Sequence, residues 1–181
     1  MKTKLLFILT LAALVFASCS KDDETDTIWK DNNEAAFVKT AAMPEYKTIK
    51  SASNSGIIAY KVLKEGDGDG NSPLYTDRVK VLYTGWFKRV DWNKEDIFTN
   101  EDGRTIKNKY IFDSTDNRNG VASEFVVSGV VDGFSTALQH MKVGDKWEVW
   151  MPPKLGYGAS GKNPIQPFTT LVFEVELVEI L

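Results

Sequence analysis

The sequence predicts an α+β fold, in which antiparallel strands are closed on one face by a single short helix. Period-two alternation marks Val79, Val81 and Tyr83, then Trp147, Val149 and Met151, then Leu171, Phe173, Val175 and Leu177. One core segment has helical spacing instead, with Phe134, Leu138 and Met141 at i, i+4 and i+7. At 181 residues and 43% hydrophobic composition, the chain can bury one core of ordinary size and still carry appendages. Lys and Arg number 22 against 25 Asp and Glu, a net charge of -3 without the basic stripe of a nucleic-acid binder. A single cysteine and a single histidine exclude an intrachain disulfide framework, a zinc finger and most histidine-based triads.

The chain begins with Lys2 and Lys4 ahead of an apolar run from Leu5 to Ala17. That run is short for a bilayer span and has the length and basic flank of a secretory signal, so residues 1–18 are expected to be removed. Cys19 follows the small residues Ala17 and Ser18, and the site resembles a bacterial lipobox, with Phe16 where leucine is commoner. Lipidation of Cys19 would leave a soluble domain held at a membrane, because several acyl chains make a lasting anchor. Ser20-Lys21-Asp22-Asp23-Glu24 resembles the export signal of Bacteroidetes-type surface lipoproteins; a solvated tether is the alternative. The expected location is that of an outer-membrane lipoprotein, periplasmic or surface-facing.

Residues 20–27 read as an unstructured polar tether. Thr27 is placed to cap a short helix from Ile28 to about Thr40, and Pro44 breaks the pattern beyond it. Trp29 and Phe37 in that segment need burial, against the main domain or a partner. Residues 19–45 thus form a tether with a helical extension, and the domain proper runs over 46–181. Gly56 opens a strand that ends in a glycine-rich turn. Asp67, Asp69 and Asn71 alternate there like the start of a calcium loop, but Ser72 replaces the required glycine and Arg78 the bidentate glutamate. The segment 86–111 is an ordered insertion, rich in charge and in Trp86, Phe87, Trp92 and Phe98, with Glu101-Asp102-Gly103 as a hairpin turn. Phe125 to Ser128 is a short strand, Ser135 to Met141 the core helix, and Gly144 its stop. The total is four to six strands.

His140 lies off the apolar face of the helix and reads as a surface or structural residue. With no second imidazole or core thiol there is no conventional nucleophile–base pair and no transition-metal cluster, and the glycines match no phosphate-binding fingerprint. Binding, or catalysis without proton transfer, remains. Rotation about an X–Pro amide is a reaction of that kind, opposed by amide resonance and favoured by a dry aromatic cup.

Six segments point the same way: Val81-Leu82-Tyr83-Thr84-Gly85, Phe112-Asp113-Ser114-Thr115, Val130-Val131-Asp132-Gly133-Phe134, Met141-Lys142-Val143-Gly144, Pro153 through Ala159, and Thr170 through Leu177. In this order, from about Ile57 to Leu181, the chain resembles the FKBP-type peptidyl-prolyl cis-trans isomerases. The resemblance implies an antiparallel half-barrel wrapped around the helix 133–141, with an aromatic site between helix and sheet lined by Tyr83, Phe112, Asp113, Val130, Val131, Phe134, Tyr157 and Phe173. It makes Phe134 the floor, where the family usually has tryptophan. It gives the backbone N–H of Val131 and the hydroxyl of Tyr157 to substrate carbonyls. Asp113 becomes a polar wall, Arg118 the partner that orients it in a buried pair, and Ile165 a contributor to the rim.

No cofactor or metal is implied. The expected partners are proline-containing polypeptides, the family's macrolide inhibitors and, through the lipid, a membrane. Small residues at Ala122-Ser123, where relatives place an aromatic, imply a wider cup. The insertion reaches toward substrate or docks the N-terminal helix, and the loop from Tyr157 to Thr170 is too short to hold a chaperone insertion. The alternative to catalysis is a peptide- or protein-binding module on the same fold; a purely structural surface protein is the third reading.

Overall fold

The computed structural model describes residues 21–67 and 70–181; the expected signal 1–18 and Cys19 lie outside the described residues. In chain order the elements are helix α1 (Lys21–Ala41), strands β1 (Lys47–Lys50), β2 (Ile57–Lys64), β3 (Arg78–Lys88), β4 (Ile97–Thr99), β5 (Thr105–Lys107), β6 (Lys109–Ser114) and β7 (Ser123–Val126), helix α2 (Asp132–Leu138), and strands β8 (Lys146–Met151) and β9 (Leu171–Ile180). The main sheet is antiparallel and open, in the order β1-β2-β8-β9-β3-β6. β7 also pairs with β3: Arg78–Val81 face β7 and Thr84–Lys88 face β6, so two short strands share one long edge.

Alternation built this sheet as expected. Val79, Val81 and Tyr83, Trp147, Val149 and Met151, and Leu171, Phe173, Val175 and Leu177 all point inward and are buried. Together with Met141 and Leu155 they pack around Phe134, Ala137 and Leu138 of α2, and each large apolar side chain so buried stabilises the fold by about 1.5–3 kcal/mol. α2 is shorter than the expected 133–141. After Leu138 the amide of Met141 divides its hydrogen bond between the carbonyls of Ala137 (3.1 Å) and Leu138 (3.3 Å), a loosened last turn. Gly144 then takes the left-handed conformation (φ +89°) and donates its N–H to the Leu177 carbonyl at 2.8 Å, turning the chain into β8.

The strand count exceeds the four to six read from sequence. β1 is a four-residue edge with mostly exposed residues, which leaves no alternation to detect. The insertion accounts for the rest, and its boundaries shift. Residues 86–88 belong to β3 and 109–111 to β6, while β4 and β5 form a separate hairpin around Gly103 (φ +77°). Two buried polar residues organise its base. Lys88 donates to Asp96 and to the Lys94 carbonyl, and the Asn108 amide donates to the carbonyls of Asp91 and Glu95.

The N-terminal extension also departs from expectation. The polar run is helical from Lys21 onward, and Thr27 lies inside the helix rather than at its cap. α1 lies on the outer face of β2 and β8. Its buried positions, Asn33, Phe37 and Thr40, stand at i, i+4 and i+7, but only one of them is apolar. Asn33 is fully buried. Its Oδ1 accepts from the Trp92 indole (3.0 Å) and from the Thr170 N–H (2.8 Å), and its Nδ2 donates to the Trp29 carbonyl (2.9 Å). The Thr170 hydroxyl donates to the Asn33 carbonyl at 2.8 Å, and the Trp29 indole to the Pro167 carbonyl at 3.0 Å. Of the two roles open to the insertion, docking α1 is the one this contact between Trp92 and Asn33 supports. Trp86, Trp92 and Trp150 meet beneath it with ring centres 5.0–6.0 Å apart.

Asn33→Ala removes the acceptor of two buried donors, and urea unfolding is expected to show a loss of about 2–4 kcal/mol. Asn33→Asp keeps that acceptor but buries an unpaired charge and sets an oxygen against the Trp29 carbonyl, so it too should destabilise; a loss below about 0.5 kcal/mol in Asn33→Ala would show that the amide does not hold α1 in place.

Candidate active site

Between α2 and the inner face of the sheet is a cavity of about 270 Å³, lined by Tyr83, Phe112, Asp113, Phe125, Gly129, Val130, Val131, Phe134, Tyr157, Lys162 and Phe173. Each side chain arrives by a simple local rule. Tyr83 and Phe173 are inward residues of β3 and β9, Phe112 and Asp113 end β6, and Phe134 faces the sheet from the first turn of α2. Val130 and Val131 are extended as they enter that helix, and Val131 caps it (φ −59°, ψ 147°), its carbonyl accepting from Phe134 and Ser135. Phe134 is 4% exposed and forms the base.

The rings meet edge to face. Phe134 lies 5.0 Å from Phe173 and 6.0 Å from Tyr83, with interplanar angles of 66° and 73°, and Phe112 meets Phe173 at 5.5 Å and 87°. Such contacts set the positive rim of one ring against the negative face of the next. Gly85 permits the approach: a Cβ there would lie 2.6 Å from both Phe112 and Phe173.

One wall is polar. The Tyr83 hydroxyl donates to Asp113 Oδ2 (2.5 Å), Arg118 Nη1 donates to Asp113 Oδ1 (2.9 Å), and Arg118 Nη2 donates to the Tyr83 oxygen (3.0 Å), which closes a triangle. A fourth bond runs from Arg118 Nη2 to the Ser123 hydroxyl (3.2 Å). Thr115 fixes the spacing of the two strands, since its Oγ1 accepts from the Tyr83 N–H at 3.0 Å and its own N–H donates to the Tyr83 carbonyl at 2.9 Å. The ion pair is not buried as expected: the side chains of Arg118 and Asp113 remain 45% and 42% exposed. Water screens such a pair, so its effect is orientation more than stability.

These contacts set the ionisation of the wall. Burial pushes the Asp113 carboxyl upward, but hydrogen bonds from Tyr83 and Arg118 and the guanidinium charge prevail, and it titrates below its ordinary 3.8. Burial, reinforced by the Asp113 carboxylate, raises the Tyr83 hydroxyl from 10.0 to about 12. Arg118 is raised by its bonds to Asp113 and Tyr83. At neutral pH the wall is a carboxylate, a neutral phenol and a guanidinium.

The eight residues Tyr83, Phe112, Asp113, Val130, Val131, Phe134, Tyr157 and Phe173 all border this one cavity, and Arg118 sits on Asp113. Ile165 does not reach the rim: it is 5% exposed and packs into the core. Sequence reasoning missed Phe125, Gly129 and Lys162. Phe125 alters the expected wider cup, because β7 places its ring 5.8 Å from Tyr83 and 6.4 Å from Phe134. Its signal was the alternation Ser123, Phe125, Val127, which puts the aromatic two residues beyond Ser123.

Residues 70–178 match the family described as FKBP-type peptidyl-prolyl cis-trans isomerase. The chain is 41% identical over 160 residues to the FKBP-type 22 kDa peptidyl-prolyl cis-trans isomerase of Escherichia coli, covering 88% of this chain and 68% of that protein. It is 34% identical over 133 residues to the peptidyl-prolyl cis-trans isomerase Mip of Coxiella burnetii, but spans only 47% of that protein's length. Among solved structures, the peptidyl-prolyl cis-trans isomerase of Pseudomonas syringae pv. tomato superposes with a TM-score of 0.62 at 29% identity, covering 86% of this chain and 95% of that one. FkpA of Escherichia coli gives 0.63 at 28% identity, covering 88% and 63%.

The depressed Asp113 carboxyl contributes stability that is present above 3.8 and is lost as pH falls through its lowered folded-state value. Unfolding measured between about pH 5 and about pH 2 should therefore show a smaller acid loss in Asp113→Asn than in the natural protein. Parallel curves would mean that the triangle does not hold the carboxylate.

Proposed function

Because the chain belongs to the FKBP-type peptidyl-prolyl cis-trans isomerase family, we propose that it catalyses rotation about X–Pro bonds in proteins outside the cytoplasm, with the prolyl ring seated on Phe134. The observation that carries this reading is the convergence of residues distant in sequence on one aromatic hollow with a single polar wall. The barrier to rotation is about 18–20 kcal/mol and comes from amide resonance, which makes the planar amide more polar than the twisted one. A cup of edge-to-face rings excludes water and disfavours the planar form relative to the twisted one. The Val131 N–H and the Tyr157 hydroxyl hold the flanking carbonyls, which leaves rotation as the free coordinate. Asp113 acts as a fixed negative charge beside the turning amide. Its low pKa suits that role and is unsuited to donating a proton. Phenylalanine at 134 gives the prolyl ring an apolar seat without an indole N–H, and macrolide ligands of the family should enter the same cup.

A protease-coupled peptide assay and proline-limited refolding test this directly. Asp113→Ala should lower kcat/KM by about ten- to a hundredfold while the fold is retained. If the natural protein does not accelerate either reaction and the substitution changes nothing, the chain is a binding module on an isomerase fold.

The placement outside the cytoplasm rests on the expected signal at 1–18 and on lipidation of Cys19, which would anchor the domain 46–181 through the segment 19–45. A relative from Legionella longbeachae, 34% identical over 124 residues, is called an outer membrane protein. Among the described residues no helix is long and apolar enough to cross a membrane. In this reading the acyl group on Cys19 is the means of attachment. Cys19→Ala should move the protein from the membrane to the soluble fraction; unchanged fractionation would remove the anchor.

A further inference from the structure

We infer that Lys162 selects substrates carrying an acidic residue next to the proline, a specificity that rests on the isomerase reading above. Two charged side chains line the cavity, Asp113 and Lys162. The first is already matched by Arg118 and Tyr83. Lys162 takes part in none of the salt bridges among the described residues. Its ammonium stands over the Tyr157 ring, 5.2 Å from the centre, and Tyr157 is the residue whose hydroxyl is assigned to a substrate carbonyl.

The backbone beneath it is fixed. The N–H of Lys162 donates to the Ile165 carbonyl (2.8 Å) and the N–H of Ile165 to the Lys162 carbonyl (2.6 Å), a closed bridge. Gly161, at φ +63°, donates to the Tyr157 carbonyl at 3.0 Å, and Ile165 is buried in the core. Ile165 thus holds the loop that presents Lys162, although it does not touch the cavity. An unmatched cation at the mouth of an apolar cup attracts a carboxylate near the bound proline and repels a cation there, even though the whole chain is net negative at -3.

The test uses paired peptides that differ only in Glu or Gln at the residue before the proline, or at the residue after it. The readout is the ratio of kcat/KM for Glu over Gln within each protein, so a general change in activity cancels. At low salt the natural protein should favour Glu by about two- to fivefold at one of the two positions, the range expected of a partly exposed ion pair. That ratio should fall toward unity as salt approaches about 0.5 M. Lys162→Arg should keep the preference, Lys162→Met abolish it and Lys162→Glu reverse it. A ratio of one at both positions in the natural protein, or a preference that survives in Lys162→Met, overturns the assignment and leaves the isomerase reading standing. Absence of turnover on every peptide removes both.

Discussion

The edge-to-face contacts of Phe134 with Phe173 and Tyr83 hold apart a helix and a sheet that hydrophobic burial alone would drive together. Protein interiors pack as densely as organic crystals, and a hollow of about 270 Å³ gives up dispersion contacts along its whole lining. The hollow persists because its walls are stiff. Each ring has two side-chain torsions, each abuts the next, and Gly85 lets β3 pass close behind Phe112 and Phe173. The shortness of α2 contributes too. Its seven residues pack on β1, β2 and β8, and the cavity lies between its Phe134 and the inward rings of β3, β6 and β9.

A second layer stiffens the sheet from outside. Where β3 leaves the cavity its alternation stops, and Trp86, Phe87 and Lys88 are all buried. They are covered on both faces because α1 and the insertion lie against the outer side, joined through Asn33. Val172 is fully buried beside them, between inward neighbours Leu171 and Phe173. The same strand therefore has an aromatic cup on one side and a tryptophan cluster on the other. Asn33 is tied to the start of that strand through Thr170.

The sheet and the cavity were legible because both follow from alternation. Inward residues of β3 and β9 had to meet the apolar face of α2, and the motif order then identified which of them line a site. Three things were not legible, each for a physical reason. α1 is held by a buried asparagine and threonine, so its inner face carries little hydrophobic signal. The Asp113–Arg118 pair was expected to be buried, but it sits where β6 gives way to a turn at the cavity mouth, and exposure depends on what stands opposite. Lys162 belongs to a loop whose path is set by backbone bridges to Ile165, and periodicity says nothing about such a path. Ile165 reads as a rim residue for the complementary reason: an apolar loop residue looks alike in sequence whether it faces inward or outward.

Phenylalanine at the base of the cup has an optical consequence. None of the five tryptophans lines the cavity. Trp147 stacks on Tyr60 at 4.1 Å, Trp29 is bonded to the Pro167 carbonyl, and the other three cluster beneath α1. Intrinsic indole emission therefore reports mainly on the seating of the N-terminal helix and is nearly blind to what occupies the prolyl site. Two events that are usually superimposed in one spectrum are separated here by the placement of a single chromophore type.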